Sequence, residues 1–152
     1  MKYISAQEQR DVLDMREVVE VTGQALQAYS EGKTETPLRY TLPFNDDNRY
    51  LVMPAICDEL QATGVKIVSF VPGNPQRGKQ TIEGSVMLTD HETGETLAVL
   101  DGAFLTKIRT GAISGVATQY MAREDADTLC IIGTGEQAEG LIEAVLAVLS
   151  LI

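Results

Sequence analysis

A glycine-rich turn near residue 135 carries the clearest chemical signal in the sequence. The apolar run Leu129-Cys-Ile-Ile132 leads into Gly133-Thr-Gly135-Glu-Gln-Ala138. In a Gly-x-Gly-x-x-Ala pattern the first glycine permits a tight turn, the second lets a pyrophosphate approach the backbone, and the alanine allows close helix–strand packing. The free N–H groups of the following helix attract anions. The pattern predicts a strand, a phosphate-binding turn and a helix, although a plain strand-to-helix turn can have the same short pattern.

Three cations are the next candidates for chemistry. Arg109 is followed by Thr110, and an arginine can hold a carboxylate or a phosphate through two parallel hydrogen bonds. We expect a helix to start at or just after Arg109-Thr110, with the threonine hydroxyl as its cap. Arg39 and Lys66 lie in strand-like runs, where a charged side chain usually points to solvent. From residue types alone, an anion site and a solvated set of side chains both remain open.

Other catalytic groups are scarce in the sequence. The single histidine, His91, falls in the predicted turn 90–94 and is expected to be a turn residue. Cys57 and Cys130 lack the spacing of metal ligands, so no metal site is predicted. Cys130 lies in an apolar run and is expected to be a small core residue. Two cysteines without a partner motif fit a reducing cytoplasm.

The N-terminal elements that must position these residues are helical. Ser5 and Glu8 have the spacing of a capping box at the start of a short helix. Asp14 is predicted to cap an amphipathic helix over residues 15–31, which Gly32 should end.

The middle of the chain has the signals of strands. They fall at residues 39–44, 49–56, 65–71, 84–89 and 95–100, and the last two are joined by a hairpin turn. Helical periodicity returns around Thr110. The predicted fold class is α+β, a mostly antiparallel sheet with helices followed by the first β-α unit of a Rossmann-like domain. The predicted domain boundary separates residues 1–126 from residues 127–152.

Composition narrows the class of partner. The chain has 152 residues, is 44% hydrophobic and carries a net charge of −10. Nucleic acid is not expected as a partner, because phosphate binding requires clustered Lys and Arg. A membrane is not expected either, because the longest apolar run, residues 141–152, is too short to span a bilayer and contains Glu143.

Taken together and in order, five segments closely resemble the ornithine cyclodeaminase/μ-crystallin family. They are Met53-Pro-Ala55, Gly64-Val-Lys66, Leu100-Asp-Gly102, Arg109-Thr-Gly-Ala112 and Gly133-Thr-Gly-Glu-Gln-Ala138. The resemblance implies a substrate and dimerisation domain whose sheets pair across a homodimer, followed by a Rossmann domain that binds NAD or NADP. Family members are about twice as long, and an apolar strand normally needs a parallel neighbour, so we expect the chain to be truncated.

The resemblance also implies roles for individual residues. The α-carboxylate of a small amino-acid substrate would be held by Arg39, Lys66 and Arg109, and Met53 would line the pocket. Thr110 would lie near the cofactor phosphates. The pyrophosphate turn would be formed by Gly133, Gly135, Glu136 and Gln137. The acid/base aspartate of the family lies beyond residue 152, so no catalytic residue is expected in this chain, and the chain alone is expected to be inactive.

The leading functional expectation is the N-terminal part of an ornithine cyclodeaminase, which converts ornithine to proline and ammonia. Alternatives within the family are an alanine dehydrogenase and a ketimine or pyrroline-carboxylate reductase. An alternative of another class is a non-catalytic, crystallin-like module that dimerises and binds a ligand. The sequence leaves open which amino acid is the substrate and whether the cofactor is NAD or NADP.

Overall fold

The computed structural model describes residues 1–149, which divide into two compact units. The first unit contains residues 1–8 and 28–103, and the second contains residues 9–27 and the chain from residue 104 onward. The helices are α1 (Ala6–Val12), α2 (Met15–Ser30), α3 (Gly102–Met121) and α4 (Ala138–Val148). The strands are β1 (Lys2–Ile4), β2 (Tyr40–Phe44), β3 (Asn48–Cys57), β4 (Ala62–Phe70), β5 (Ile82–Thr89) and β6 (Thr96–Asp101).

The first unit is built on one six-stranded sheet with the order β1-β6-β5-β4-β3-β2. All neighbouring strands are antiparallel except β1, which runs parallel to β6 with Tyr3 opposite Val99. The predicted α+β class with mainly antiparallel pairing is confirmed. The sequence did not predict β1, because three residues are too few for an alternating pattern to stand out.

Short-range hydrogen bonds confirm the predicted helix ends and the hairpin turn. The Ser5 backbone N–H donates to Glu8 Oε2 at 2.9 Å, and the Arg16 N–H donates to Asp14 Oδ1 at 2.9 Å. Gly32 follows α2 with a φ of 70°. In the turn between β5 and β6, the Asp90 N–H donates to the Glu95 carbonyl at 2.8 Å.

The start of α3 differs from the prediction. The helix begins at Gly102, directly after β6, so Arg109 and Thr110 lie in its interior and Thr110 does not cap it. Residues 103–109 contain no helix breaker, and the helical period already starts with Phe104, Ile108 and Ala112, which are 7%, 5% and 0% exposed. The chain passes from strand to helix without a loop because Gly102 has no Cβ, which would lie 2.6 Å from the Gly84 carbonyl carbon.

The apolar segment before the glycine turn also differs from the prediction. Residues 127–134 are not in a strand, and none of β1 to β6 pairs with them. Cys130 is exposed rather than part of the core, and Ile132 is 98% exposed. A strand exists only through hydrogen bonds to a neighbour, so an apolar composition alone does not produce one. The helix expected after the turn is present as α4.

The second unit has its core where α2, α3 and α4 meet. Val19, Ala112 and Ala144 are at most 1% exposed, and partly buried apolar side chains pack around them: Met15, Val18, Val116 and Val148. Within residues 1–149, no helix is long and apolar enough to cross a membrane.

Candidate functional site

The sheet of the first unit places two of the predicted substrate residues side by side. Met53 on β3 is the direct partner of Lys66 on β4. Directly opposed residues point to the same face of a sheet, so the side chains of Met53 and Lys66 are neighbours. Arg39 immediately precedes β2, where Tyr40 pairs with Val52. Because the strands are antiparallel, Arg39 lies beside Met53, the residue after Val52. Met53 and Lys66 thus lie on neighbouring strands, and Arg39 lies just before the strand that follows in the same row.

This row has one exposed end and a more buried interior. Arg39 is exposed, whereas Met53 and Lys66 are half-buried. Beyond Lys66 the row continues through apolar residues that are paired in turn: Val86, Leu100 and Ile4. The stem of Lys66 thus lies between apolar neighbours, an arrangement that suits a long side chain with a charged tip.

The second unit contains the other predicted substrate residue. Arg109 is exposed on α3, and within residues 1–149 its guanidinium has no hydrogen bond or ion pair. Thr110 follows it and is half-buried. An exposed guanidinium without a protein partner keeps its donors available for an anion.

The glycine turn leaves open space around its backbone. Gly133 has a φ of 100°, a conformation that favours glycine. Among residues 1–149, no heavy atom beyond the adjacent residues lies within 4 Å of where a Cβ would stand on Gly133 or Gly135. Gln137 Oε1 is buried and has no hydrogen-bond partner among the described residues, and Glu136 is exposed. An open backbone and the start of an eleven-residue helix fit the phosphate end of a dinucleotide.

A cluster that the sequence reasoning missed lies beside this turn. Lys107 Nζ on α3 forms an ion pair with Glu139 Oε2 in the first turn of α4. Arg10 Nη1 lies 3.7 Å from Glu139 Oε1, and the Arg10 guanidinium lies 5.1 Å from the centre of the Phe104 ring. The hydrogen bond from Lys107, followed by the charges of Lys107 and Arg10, lowers the pKa of Glu139. Residues 107 and 139 are too far apart in sequence for any spacing rule to link them.

The single histidine makes more contacts than predicted. Thr63 Oγ1 lies 2.7 Å from His91 Nδ1, and Asp58 Oδ1 lies 3.4 Å from His91 Nε2. The Asp58 side chain is 89% exposed, unlike the buried carboxylate that orients a catalytic histidine. We interpret these contacts as a structural link between the turn after β3 and the turn after β5.

One groove of the second unit lies away from these residues. A groove of about 900 Å³ runs along α2, α3 and α4, and its wall includes Gly23, Val116, Tyr120 and Val148. None of the predicted site residues lines it.

Comparison with known proteins identifies the family of the chain. A sequence model of the ornithine cyclodeaminase/mu-crystallin family matches residues 3–152. A Delta(1)-pyrroline-2-carboxylate reductase from Bacillus cereus is 56% identical over 149 residues, which is 97% of this chain and 46% of that protein. The chain thus spans about half the length of the curated relatives it matches.

Solved structures show the same fold. One is the Thermococcus litoralis Delta(1)-pyrroline-2-carboxylate reductase in complex with NADH and L-proline, with a TM-score of 0.89, 36% identity and coverage of 99% of this chain and 47% of that one. Another is an archaeal alanine dehydrogenase dimer with bound NAD, with a TM-score of 0.90, 32% identity and coverage of 99% of this chain and 46% of that one. The resemblance drawn from the five segments is therefore confirmed, and the chain belongs to the ornithine cyclodeaminase/mu-crystallin family.

Proposed function

We propose that the protein reduces Δ1-pyrroline-2-carboxylate to proline with NADH or NADPH. The 56% identity to a reductase of this name over 149 residues carries the proposal. The Thermococcus litoralis structure, which holds NADH and L-proline, supports the same chemistry. The relatives support an NAD(P)-dependent enzyme of this family and do not single out ornithine cyclodeaminase, so the reductase replaces it as the leading function.

In this reaction a bound nicotinamide cofactor would supply a hydride to the carbon of the protonated imine, which leaves the ring nitrogen as the amine of proline. The chain would contribute the grip on the substrate carboxylate. Arg39 and Lys66 would do so from the sheet and Arg109 from α3, with the half-buried Met53 against the ring. Cationic side chains bind a carboxylate through charge-assisted hydrogen bonds. Three of them together would form a local anion-binding site in a chain whose net charge is −10.

The same chain would hold the phosphate end of the cofactor. The amides of Gly133, Gly135, Glu136 and Gln137 would surround the pyrophosphate, with Thr110 close to the phosphates. The open space around both glycines, among the residues that the structure describes, supports this assignment.

The assembly and the domains are proposals of the same kind. Residues 1–126 would form the substrate and dimerisation domain of a homodimer, and residues 127–152 would begin the cofactor domain. The archaeal relative described as a dimer supports this view. The free cysteines, Cys57 and Cys130, are compatible with a reducing cytoplasm. Light scattering coupled to size-exclusion chromatography should give twice the mass of one chain.

The test is a comparison of substrates with the protein expressed from its full coding sequence. NADH consumption with Δ1-pyrroline-2-carboxylate should exceed that with pyruvate and ammonium, and proline should be the product. Faster turnover of pyruvate and ammonium would instead establish an alanine dehydrogenase, the second candidate, which the archaeal structure favours. Ammonia and proline from ornithine would restore the cyclodeaminase, and NADH binding without any turnover would indicate a crystallin-like binding module.

A further inference from the structure

The helix that follows the glycine turn is fixed to α3 by backbone contact. A Cβ on Gly111 would overlap the carbonyl group of Gly140, and a Cβ on Gly140 would lie 2.6 Å from the Lys107 carbonyl oxygen. One turn further along, a Cβ on Gly115 would lie 3.2 Å from the Ala144 carbonyl oxygen. Positions 107, 111 and 115 lie on one face of α3 because four residues make about one helical turn. This face is therefore the contact with α4.

At the end of this face that lies nearest the glycine turn, α3 and α4 are joined by two charged side chains. Lys107 forms its ion pair with Glu139, the second residue of α4. The Lys107 side chain is only 19% exposed, whereas that of Glu139 is 54% exposed. The Lys107 ammonium also lies 5.9 Å from the centre of the Phe104 ring. A partly buried pair at the first turn of α4 restrains the position and rotation of the turn that precedes it.

In the sequence, Lys107 is also close to two residues with proposed roles in binding the substrate and the cofactor phosphates. Thr110 is three residues further on α3, about 60° from Lys107 around the helix axis, and Arg109 is about 160° away. Arg109 is exposed and lies on the other side of α3 from the contact face. Lys107 is thus placed to fix the glycine turn relative to Thr110 while remaining apart from the carboxylate-binding side.

We propose that Lys107 is a positioning residue that acts through Glu139 to hold the glycine turn where it can bind the cofactor phosphates. This inference rests on the proposed function, since it assumes that the turn binds a dinucleotide. Lys107 contacts protein groups only in this role and is not a catalytic residue.

Glu139→Gln separates positioning from simple electrostatics. Removal of a negative charge beside an anion site should tighten NADH binding if charge alone matters. Loss of the positioning pair should weaken NADH binding, by about threefold to fivefold for a partly exposed ion pair. The two explanations predict opposite changes in the Kd for NADH, which fluorescence titration with NADH measures.

A double-mutant cycle completes the test in the protein expressed from its full coding sequence. Lys107→Met and Glu139→Gln should each raise the Kd for NADH. The double variant should be no worse than Glu139→Gln, because both substitutions remove the Lys107–Glu139 pair and Glu139→Gln alone also removes the longer contact with Arg10. Lys107→Arg should restore binding. The KM for the imine at saturating NADH should change less than about twofold. Asp125→Asn is the matched control, since it makes the same charge change and removes the exposed pair with Arg123.

The outcomes distinguish the two proposals. Unchanged or tighter NADH binding by Glu139→Gln would overturn the positioning role and leave the proposed function intact. A wild-type protein that binds no NADH would overturn both. If Lys107→Met does not fold, as judged by circular dichroism, Glu139→Gln still decides the question.

Discussion

Gly111 on α3 and Gly140 on α4 meet backbone to backbone, with no side chain between them. A Cβ added to Gly111 would overlap the Gly140 carbonyl group. The two helices are therefore in backbone contact where they cross, and α4, which follows the glycine turn, is held against the helix that carries Arg109 and Thr110.

Substitution of Gly111 should destabilise the folded protein far more than an equivalent change on a neighbouring helix. Gly111→Ala forces α3 and α4 apart and should lower the free energy of unfolding by about 3 kcal/mol. Gly23→Ala is the control, because its Cβ would lie 3.7 Å from Val116 Cγ2, an ordinary contact. Alanine is also the better helix former, so Gly23→Ala should stabilise by about 0.5–1 kcal/mol. Urea unfolding of both variants measures these changes, and equal effects would contradict the close crossing.

Arg109→Ala should separate activity from stability. As a carboxylate ligand, Arg109 should contribute about 2–5 kcal/mol to kcat/KM for the imine substrate. Its guanidinium has no partner within residues 1–149, so the melting temperature should stay the same. Arg123→Ala, which removes an exposed pair with Asp125, should change neither quantity. Wild-type kcat/KM in the Arg109 variant would remove this residue from the proposed site.

The two glycines of the turn should respond differently to alanine. Gly133 has a φ of 100°, so Gly133→Ala should cost about 1–3 kcal/mol of stability and also weaken NADH binding. Gly135 lacks this strain and has open space around its Cβ position. Gly135→Ala should therefore leave stability within about 0.5 kcal/mol but place a methyl group where the pyrophosphate would lie. Thermal melts and NADH titration test this split, and tight NADH binding by Gly135→Ala would argue against a phosphate at the turn.

The hairpin turn between β5 and β6 should carry an acid-sensitive contribution to stability. The Thr93 hydroxyl, the Thr93 N–H and the Glu92 N–H donate to Asp90 and lower the pKa of its carboxyl group. A folded-state pKa below the unfolded value means that the contribution is present above the unfolded pKa of about 4 and is lost as the pH falls through the folded pKa. Thr93→Val should move the Asp90 pKa back toward its ordinary value.

Carbon-13 NMR of the Asp90 carboxyl group measures both pKa values directly. Thr41→Val, on the exposed edge strand β2, is the control and should leave the Asp90 titration unchanged. Identical midpoints in the wild type and in Thr93→Val would show that the hydroxyl does not stabilise the ionised carboxylate.

Structural features that depend on residues close together in the sequence could be predicted from the sequence. The Ser5–Glu8 capping box, the Asp14 cap, the stop at Gly32 and the turn 90–94 each depend on hydrogen bonds that span a few residues. Their geometry is fixed by local side chains and by glycine conformations, so pattern and structure agree. The family resemblance was readable for the same reason, since its motifs are short and ordered.

Structural features that depend on contacts between residues distant in the sequence could not be predicted from the sequence. The exposed Cys130 and the absence of a strand at residues 127–134 differ from expectation because each depends on which segment packs beside it. A run such as Leu129–Ile132 looks the same whether or not a neighbouring strand is there to accept its hydrogen bonds.

The sequence by itself therefore determined most of the helices and strands, the caps at Ser5 and Asp14, and the family. Only the tertiary structure decided that Lys66 stands beside Met53, that Lys107 pairs with Glu139, and that Gly111 meets Gly140. These contacts join residues from different elements, and their free energy depends on how the chain packs in three dimensions rather than on local sequence.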